Sequence, residues 1–138
     1  MKRNLGFKIL YLGRKSPLRG VKWPKVGVWT ERCKGDPELC ECGWHLVYPV
    51  GLEYWWDRIH WKGGGVSLWI AQGRGAGPKD VTKGCFRQAR LLVRVKRPVS
   101  RMGELIGAAG SELVSARAVL AEFDPEIKEA ERIAKSLK

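Results

Sequence analysis

Four side chains able to hold a metal crowd into one short stretch: Cys33, Cys40, Cys42 and His45. Thiolates and imidazole suit zinc, and four such donors would complete a tetrahedral site. The order Cys-x6-Cys-x-Cys-x2-His belongs to no standard zinc module, and Cys40 and Cys42 stand only two residues apart. No Cys-x-x-Cys pair signals a zinc ribbon or a thioredoxin-type redox centre. The four stay as metal candidates, with no metal and no cofactor assigned.

Nucleophilic chemistry would need Cys42 beside His45 or His60, plus a third group to orient the imidazole. Neither that group nor a nucleophile elbow is present. Glu53 and Asp57 share a helical face at i, i+4, as a solvated surface pair also would. The loop Gly73–Lys79 invites a phosphate-binding reading, but Pro78 precedes the lysine and Asp80 follows it, so the Walker pattern fails. A flexible hairpin connection is expected there, and no catalytic residue is assigned.

Positive charge and indole rings are the stronger signal. From Cys85 the chain alternates, with Cys85, Arg87, Ala89, Leu91, Val93 and Val95 on one face. Phe86, Gln88, Arg90, Leu92, Arg94 and Lys96 take the other. A half-exposed basic strand follows, offering Arg87, Arg90, Arg94, Lys96 and Arg97 to a partner. Seven tryptophans exceed the needs of a small core. Trp and Arg are favoured interface anchors, and aromatics beside cations also stack on single-stranded bases. Trp23 and Trp61 are expected to face a partner.

These groups need elements to position them. Leu5 to Leu12 reads as a strand, Val21 to Thr30 as an edge strand around Pro24, and Trp44 to Val50 as another. Leu52, Trp55, Trp56 and Ile59 fall on one helical face. Val66 to Ala71 has strand composition, and the Cys85 strand ends at Pro98. Beyond it, Ser100 and Ser111 are candidate N-caps, and Asp124-Pro125 starts a last helix. Its apolar stripe includes Ile127, Ile133 and Leu137, a second face for a partner. The expectation is an α+β fold: a small antiparallel sheet with one packed helix, followed by a C-terminal helical tail. Residues 1–98 form the basic, Trp-rich core and 99–138 the tail, which either packs back or docks on a partner. Deleting 109–138 is expected to leave the core folded.

Length and charge bound the rest. At 138 residues the chain suits one compact domain, and 44% hydrophobic residues exclude disorder throughout. No apolar run nears the roughly 18 residues of a membrane span, and no secretory leader is expected. A cytoplasmic protein is the default. The net +12 is uneven: residues 1–30 carry +8, 31–60 carry −3, 61–100 carry +8 and 101–138 carry −1. Such a surface attracts nucleic acid or an acidic protein face. A single Asn and abundant Arg lean toward a thermophilic origin.

Cys40-Glu41-Cys42-Gly43-Trp44-His45, with Leu52 and Trp55 following, and Phe86-Arg87-Gln88-Ala89-Arg90-Leu91-Leu92 resemble a group of small phage-encoded proteins. In these a Cys-x-x-Gly-(Phe/Trp)-His segment precedes a basic strand, and the likeness spans residues 33–95. Size, charge and layout are similar to the RNA polymerase-binding transcription inhibitors of phages of thermophilic bacteria. That resemblance implies a non-enzymatic regulator, monomeric when free, acting in the host cytoplasm. Its partner would be host RNA polymerase at the β-subunit flap and σ factor region 4, with nucleic acid nearby, and transcription would be inhibited or redirected. The first alternative is a basic nucleic-acid-binding module. The second is a degenerate ADP-ribosyltransferase-like protein centred on His45, although the chain lacks that family's Ser-Thr-Ser strand and Gln/Glu-x-Glu pair.

Overall fold

The computed structural model describes residues 1–2, 4–17, 20–38, 43–59 and 65–137. Strands β1 (Leu5–Tyr11), β2 (Trp44–Val47), β3 (Val66–Lys79) and β4 (Lys83–Arg94) pair only antiparallel. Their order β1-β2-β4-β3 closes into a small barrel, and the closing contact between β1 and β2 is Phe7 opposite Val47. Helix α1 (Leu52–Ile59) follows β2, and α2 (Pro98–Ala109), α3 (Ala116–Glu122) and α4 (Asp124–Ser136) follow β4. The fold is α+β with a helical C-terminal part.

Period-two alternation gives each strand two faces, and closure gives those faces different fates. Leu5, Phe7, Ile9, Leu68, Ile70 and Leu92 point outward into one cluster with Leu52 and Trp56 of α1. Met102, Val119, Phe123, Ile127 and Ala130 from the last three helices complete it. The rings of Phe7 and Phe123 meet edge-to-face at 5.5 Å. A buried ring of this size stabilises by about 1.5–3 kcal/mol, with up to about 1.5 more for the aromatic pair. The helical tail therefore packs back and shares the main core, so removing 109–138 would uncover part of that core. Leu10, Leu46, Trp69, Ala71, Ala89 and Leu91 form the second cluster. Since every helix lies outside, this cluster fills the barrel.

The β4 alternation does not run unbroken. Ile70 faces Val93 while Ala71 faces Leu91, so Leu92 is an extra residue, a β-bulge. The bulge sends Leu91 into the barrel and Leu92, with Val95, toward the helices. The glycine-rich stretch is also not a loop: β3 runs through it to Lys79. Gly73 is glycine because a Cβ there would lie 2.3 Å from the Phe86 ring. Gly75 adopts φ +69, and a Cβ would meet Arg87 at 2.8 Å. The turn comes later, where Asp80 Oδ1 accepts from the Thr82 and Lys83 amides at 2.7 and 2.9 Å.

Val21 to Thr30 is not a paired strand either. Residues 27–33 run as a strap along β4: the amides of Gly27, Thr30 and Cys33 donate to the carbonyls of Leu91, Ala89 and Arg87 at 2.8–2.9 Å. Three strap residues span two of β4, so a regular ladder cannot form. Buried Thr30 returns the contact by accepting from the Ala89 amide through Oγ1 at 3.0 Å.

Helix starts follow local chemistry. Pro98 opens α2 behind Arg97, which adopts φ +52, and Ser100 lies inside the helix with its hydroxyl on the Arg97 carbonyl. Ser115, not Ser111, caps α3 by accepting from the Ala118 amide at 3.1 Å. Two side chains lock the helices together. Glu53 of α1 accepts from the Val114 amide at 2.6 Å. Arg101 of α2 binds Glu122 at 3.0 Å and also Glu126, its side chain only 12% exposed.

Candidate functional site

The metal candidates do not assemble among the described residues. Cys40 and Cys42 lie outside them. Cys33 is half-buried in the strap, its thiol directed to the Gly35 carbonyl. His45 sits in β2 opposite Cys85, and its carbonyl accepts from the Lys8 ammonium at 3.0 Å. No three His, Cys, Asp or Glu among the described residues come together to hold an ion.

The expected partner residues divide sharply. Trp23 is 1% exposed and belongs to the barrel cluster, edge-to-face with Trp44 at 5.2 Å. Its Nε1 has no hydrogen-bond partner among the described residues. Ile127 is buried against the sheet and Ile133 is half-buried on the same cluster. A partner cannot reach Trp23 or Ile127 in the folded chain, because each completes a core. Leu137 is exposed, and Trp61 lies outside the described residues. Of the cations, Arg87 is neutralised by Asp36 at 2.7 Å. Arg94, Lys96 and Arg97 are exposed. Arg90 is nearly buried, at 6% exposure, which the regular alternation of the sequence does not convey.

What surrounds Arg90 is the centre of interest. On the outer face of the β3–β4 hairpin, at the edge of α4, Gln72 stands opposite Arg90 and Arg74 opposite Gln88. Each arginine donates through Nε to a glutamine on the other strand, Arg90 to Gln72 Oε1 at 2.8 Å and Arg74 to Gln88 Oε1 at 3.0 Å. The strap lays half-buried Trp29 against both, with guanidinium carbons 4.0 Å (Arg74) and 4.3 Å (Arg90) from the ring centre. Gln88 is itself anchored, its Nε2 donating to the Thr30 carbonyl at 2.9 Å. The terminal Nη donors of both arginines have no protein acceptor, and no carboxylate pairs with either among the described residues.

Holding two like charges together without an acid has an electrostatic cost. Burial lowers the Arg90 pKa below its usual value, and repulsion from Arg74 lowers it further. The indole face and two amide oxygens offset part of that cost. Sequence reading missed this group. Arg74 stood in a presumed loop and Trp29 was one indole of seven, and only the strap's path brings them together.

A second cation, in the barrel, has no carboxylate partner among the described residues. Lys8, next to Trp23 at 5.0 Å from its ring centre, has its pKa lowered to about 8. Burial is the main cause, and repulsion from Lys83 adds to it. A separate pocket of about 400 Å3 opens beside Tyr48, Lys79 and Cys85. Among the described residues no helix is long and apolar enough to cross a membrane. Comparison with protein families, curated proteins and solved structures finds no match to this chain.

Proposed function

We propose that the protein works by binding rather than by catalysis, and that its partner is nucleic acid, gripped through the phosphates. The observation that supports this reading is the distribution of unpaired charge. Arg74, Arg90, Arg94, Lys96 and Arg97 lie along β3, β4 and the turn into α2, and none has a carboxylate partner among the described residues. On the helices Arg101, Lys128 and Arg132 are paired, whereas Arg117 and Lys135 have no carboxylate partner among the described residues, so the strand cations differ in lying side by side along one hairpin. Uncompensated guanidinium and ammonium groups exchange solution counterions for phosphates, which supplies affinity without sequence reading.

The test is a titration of labelled oligonucleotides at several salt concentrations. Binding whose logarithm falls linearly with log salt is expected, and removing one phosphate contact with Lys96→Gln should lower the slope by about 1. Failure to bind at low salt rejects the reading.

A protein partner is the second reading, and one surface favours it. Val21, Val26 and Val28, which flank Lys22 and Lys25, are all more than 40% exposed. Leu137 approaches the same segment, 3.6 Å from where a Gly27 Cβ would stand. An apolar strip with a cationic rim fits an acidic protein face, such as the β flap and σ region 4 of a bacterial RNA polymerase. In that reading the protein is a phage regulator in the host cytoplasm. A polymerase complex that survives nuclease and is lost in Val26→Asp would support it over the first.

A further inference from the structure

We infer that Arg74, Trp29 and Arg90 form a clamp for single-stranded nucleic acid, in which Nη donors without a protein acceptor take a backbone phosphate and a base stacks on the surface made by exposed Arg74 and half-buried Trp29. The inference rests on the nucleic-acid reading and deepens it: unpaired charge accounts for affinity, whereas this cluster accounts for which form of nucleic acid is held.

Three observations carry it. First, the side chains are fixed before any ligand arrives. Each Nε is committed to a glutamine across the strand pair, and Gln88 is tied to the strap. The planar forks are thereby oriented, and little rotamer entropy is left to lose on binding. Second, the donors left over are the right ones. With Nε used, each guanidinium keeps its Nη groups, and a phosphate oxygen is the acceptor that two neighbouring guanidiniums share best. Third, Arg90 is buried and packs on the same indole as Arg74, and neither has a carboxylate partner among the described residues. An arriving anion relieves the repulsion between the two, so binding is favoured beyond simple surface attraction.

The choice of single strand follows from Trp29. A duplex presents phosphates on a convex surface with its bases stacked inside, and a half-buried indole adds nothing to gripping it. A single strand offers unstacked bases, and stacking beside cations is the usual, sequence-tolerant way such strands are held. Inorganic phosphate offers the charge without the base.

The experiment uses the full chain and fluorescence anisotropy with a labelled 15-mer of deoxythymidine, the matching duplex, and inorganic phosphate as competitor. Arg74→Lys keeps the charge but loses the planar fork, and Trp29→Leu keeps the charge entirely. Each is expected to weaken single-strand binding by about tenfold while the salt slope stays unchanged. Lys96→Gln should lower the slope instead. The duplex is expected to bind more weakly than the single strand, and phosphate to compete only at millimolar concentration or above.

Wild-type affinity in both Arg74→Lys and Trp29→Leu would overturn the clamp while leaving charge-driven binding intact. Equal or tighter binding of the duplex would overturn the single-strand assignment, and micromolar competition by phosphate would make the site one for a free anion. Absence of any oligonucleotide binding would reject the nucleic-acid reading with it. Thermal melts of each variant within a few degrees of wild type separate lost contacts from lost folding, Arg74 being exposed.

Discussion

Arg101 and Arg90 are the same side chain in two regions that treat its charge in opposite ways. On the helical side Arg101 is enclosed by Glu122 and Glu126, and hydrogen bonding to Glu126 first, then to Glu122, raises its pKa. On the outer face of the hairpin Arg90 is more deeply buried, shares the Trp29 ring with another arginine, and has its pKa lowered by burial and then by repulsion from Arg74. A guanidinium whose charge is balanced inside the molecule serves to hold elements together, here α2 to α3 and α4. One whose charge is left unbalanced adds nothing obvious to folding and keeps its attraction for something outside. Burial alone would have ranked the two the other way.

That contrast can be broken at several points. The largest effect is expected from deleting residues 109–138. Val119, Phe123 and Ile127 leave with the segment, uncovering Phe7, Ile9 and Leu92. At about 1.5–3 kcal/mol for each large side chain, the loss rivals the whole stability of an ordinary domain, about 5–15 kcal/mol. Urea titration followed by circular dichroism should show no cooperative transition. A sharp one would make the helices an accessory to an independent barrel.

Arg101→Met comes next. It leaves two glutamates facing each other and is expected to cost about 2–4 kcal/mol, read as a lower urea midpoint at unchanged slope. Retention of the wild-type midpoint would deny the helical side its balanced charge.

Lys8 brings pH into the same contrast. Its pKa falls from 10.5 to about 8 on folding, so the folded chain releases this proton before the unfolded chain does. Below pH 8 both states are charged and the cost of burial is present in full. From about pH 8 to 10.5 the unfolded state binds more protons, so stability rises with pH, by at most about 3 kcal/mol. Measured against Lys8→Met, the wild type should gain stability over that window, and a flat difference would remove the effect.

Smallest is Arg90→Met. Taking away a buried, unpaired charge is expected to leave stability within about 1 kcal/mol of wild type, in either direction. A loss as large as that of Arg101→Met would show that Arg90 is structural after all, and the two regions alike.

Much of the framework is written locally. The i, i+3, i+4, i+7 spacing of Leu52, Trp55, Trp56 and Ile59 gives α1 its length, and Asp124-Pro125 marks where α4 begins. What local pattern cannot carry is contact between distant segments. Gly73 reads as a breaker because glycine usually is one, whereas here it makes room for Phe86, thirteen positions later along the chain. The bulge at Leu92 exchanges the two faces of β4 and leaves no mark in composition. The candidate site was hidden for the same reason: Trp29, Arg74 and Arg90 come from three segments, and no spacing rule links them.

The strap along β4 has one more consequence. A row of open carbonyls on a strand is where a second chain can add itself and start a fibril. In this molecule the carbonyls of Arg87, Ala89 and Leu91 are already occupied by the chain's own amides. Any strand seeking to extend the sheet there must first peel residues 27–33 away, dragging Trp29 off Arg74 and Arg90. The piece of chain that assembles the candidate site is thus also what guards this tryptophan-rich barrel against self-templated growth.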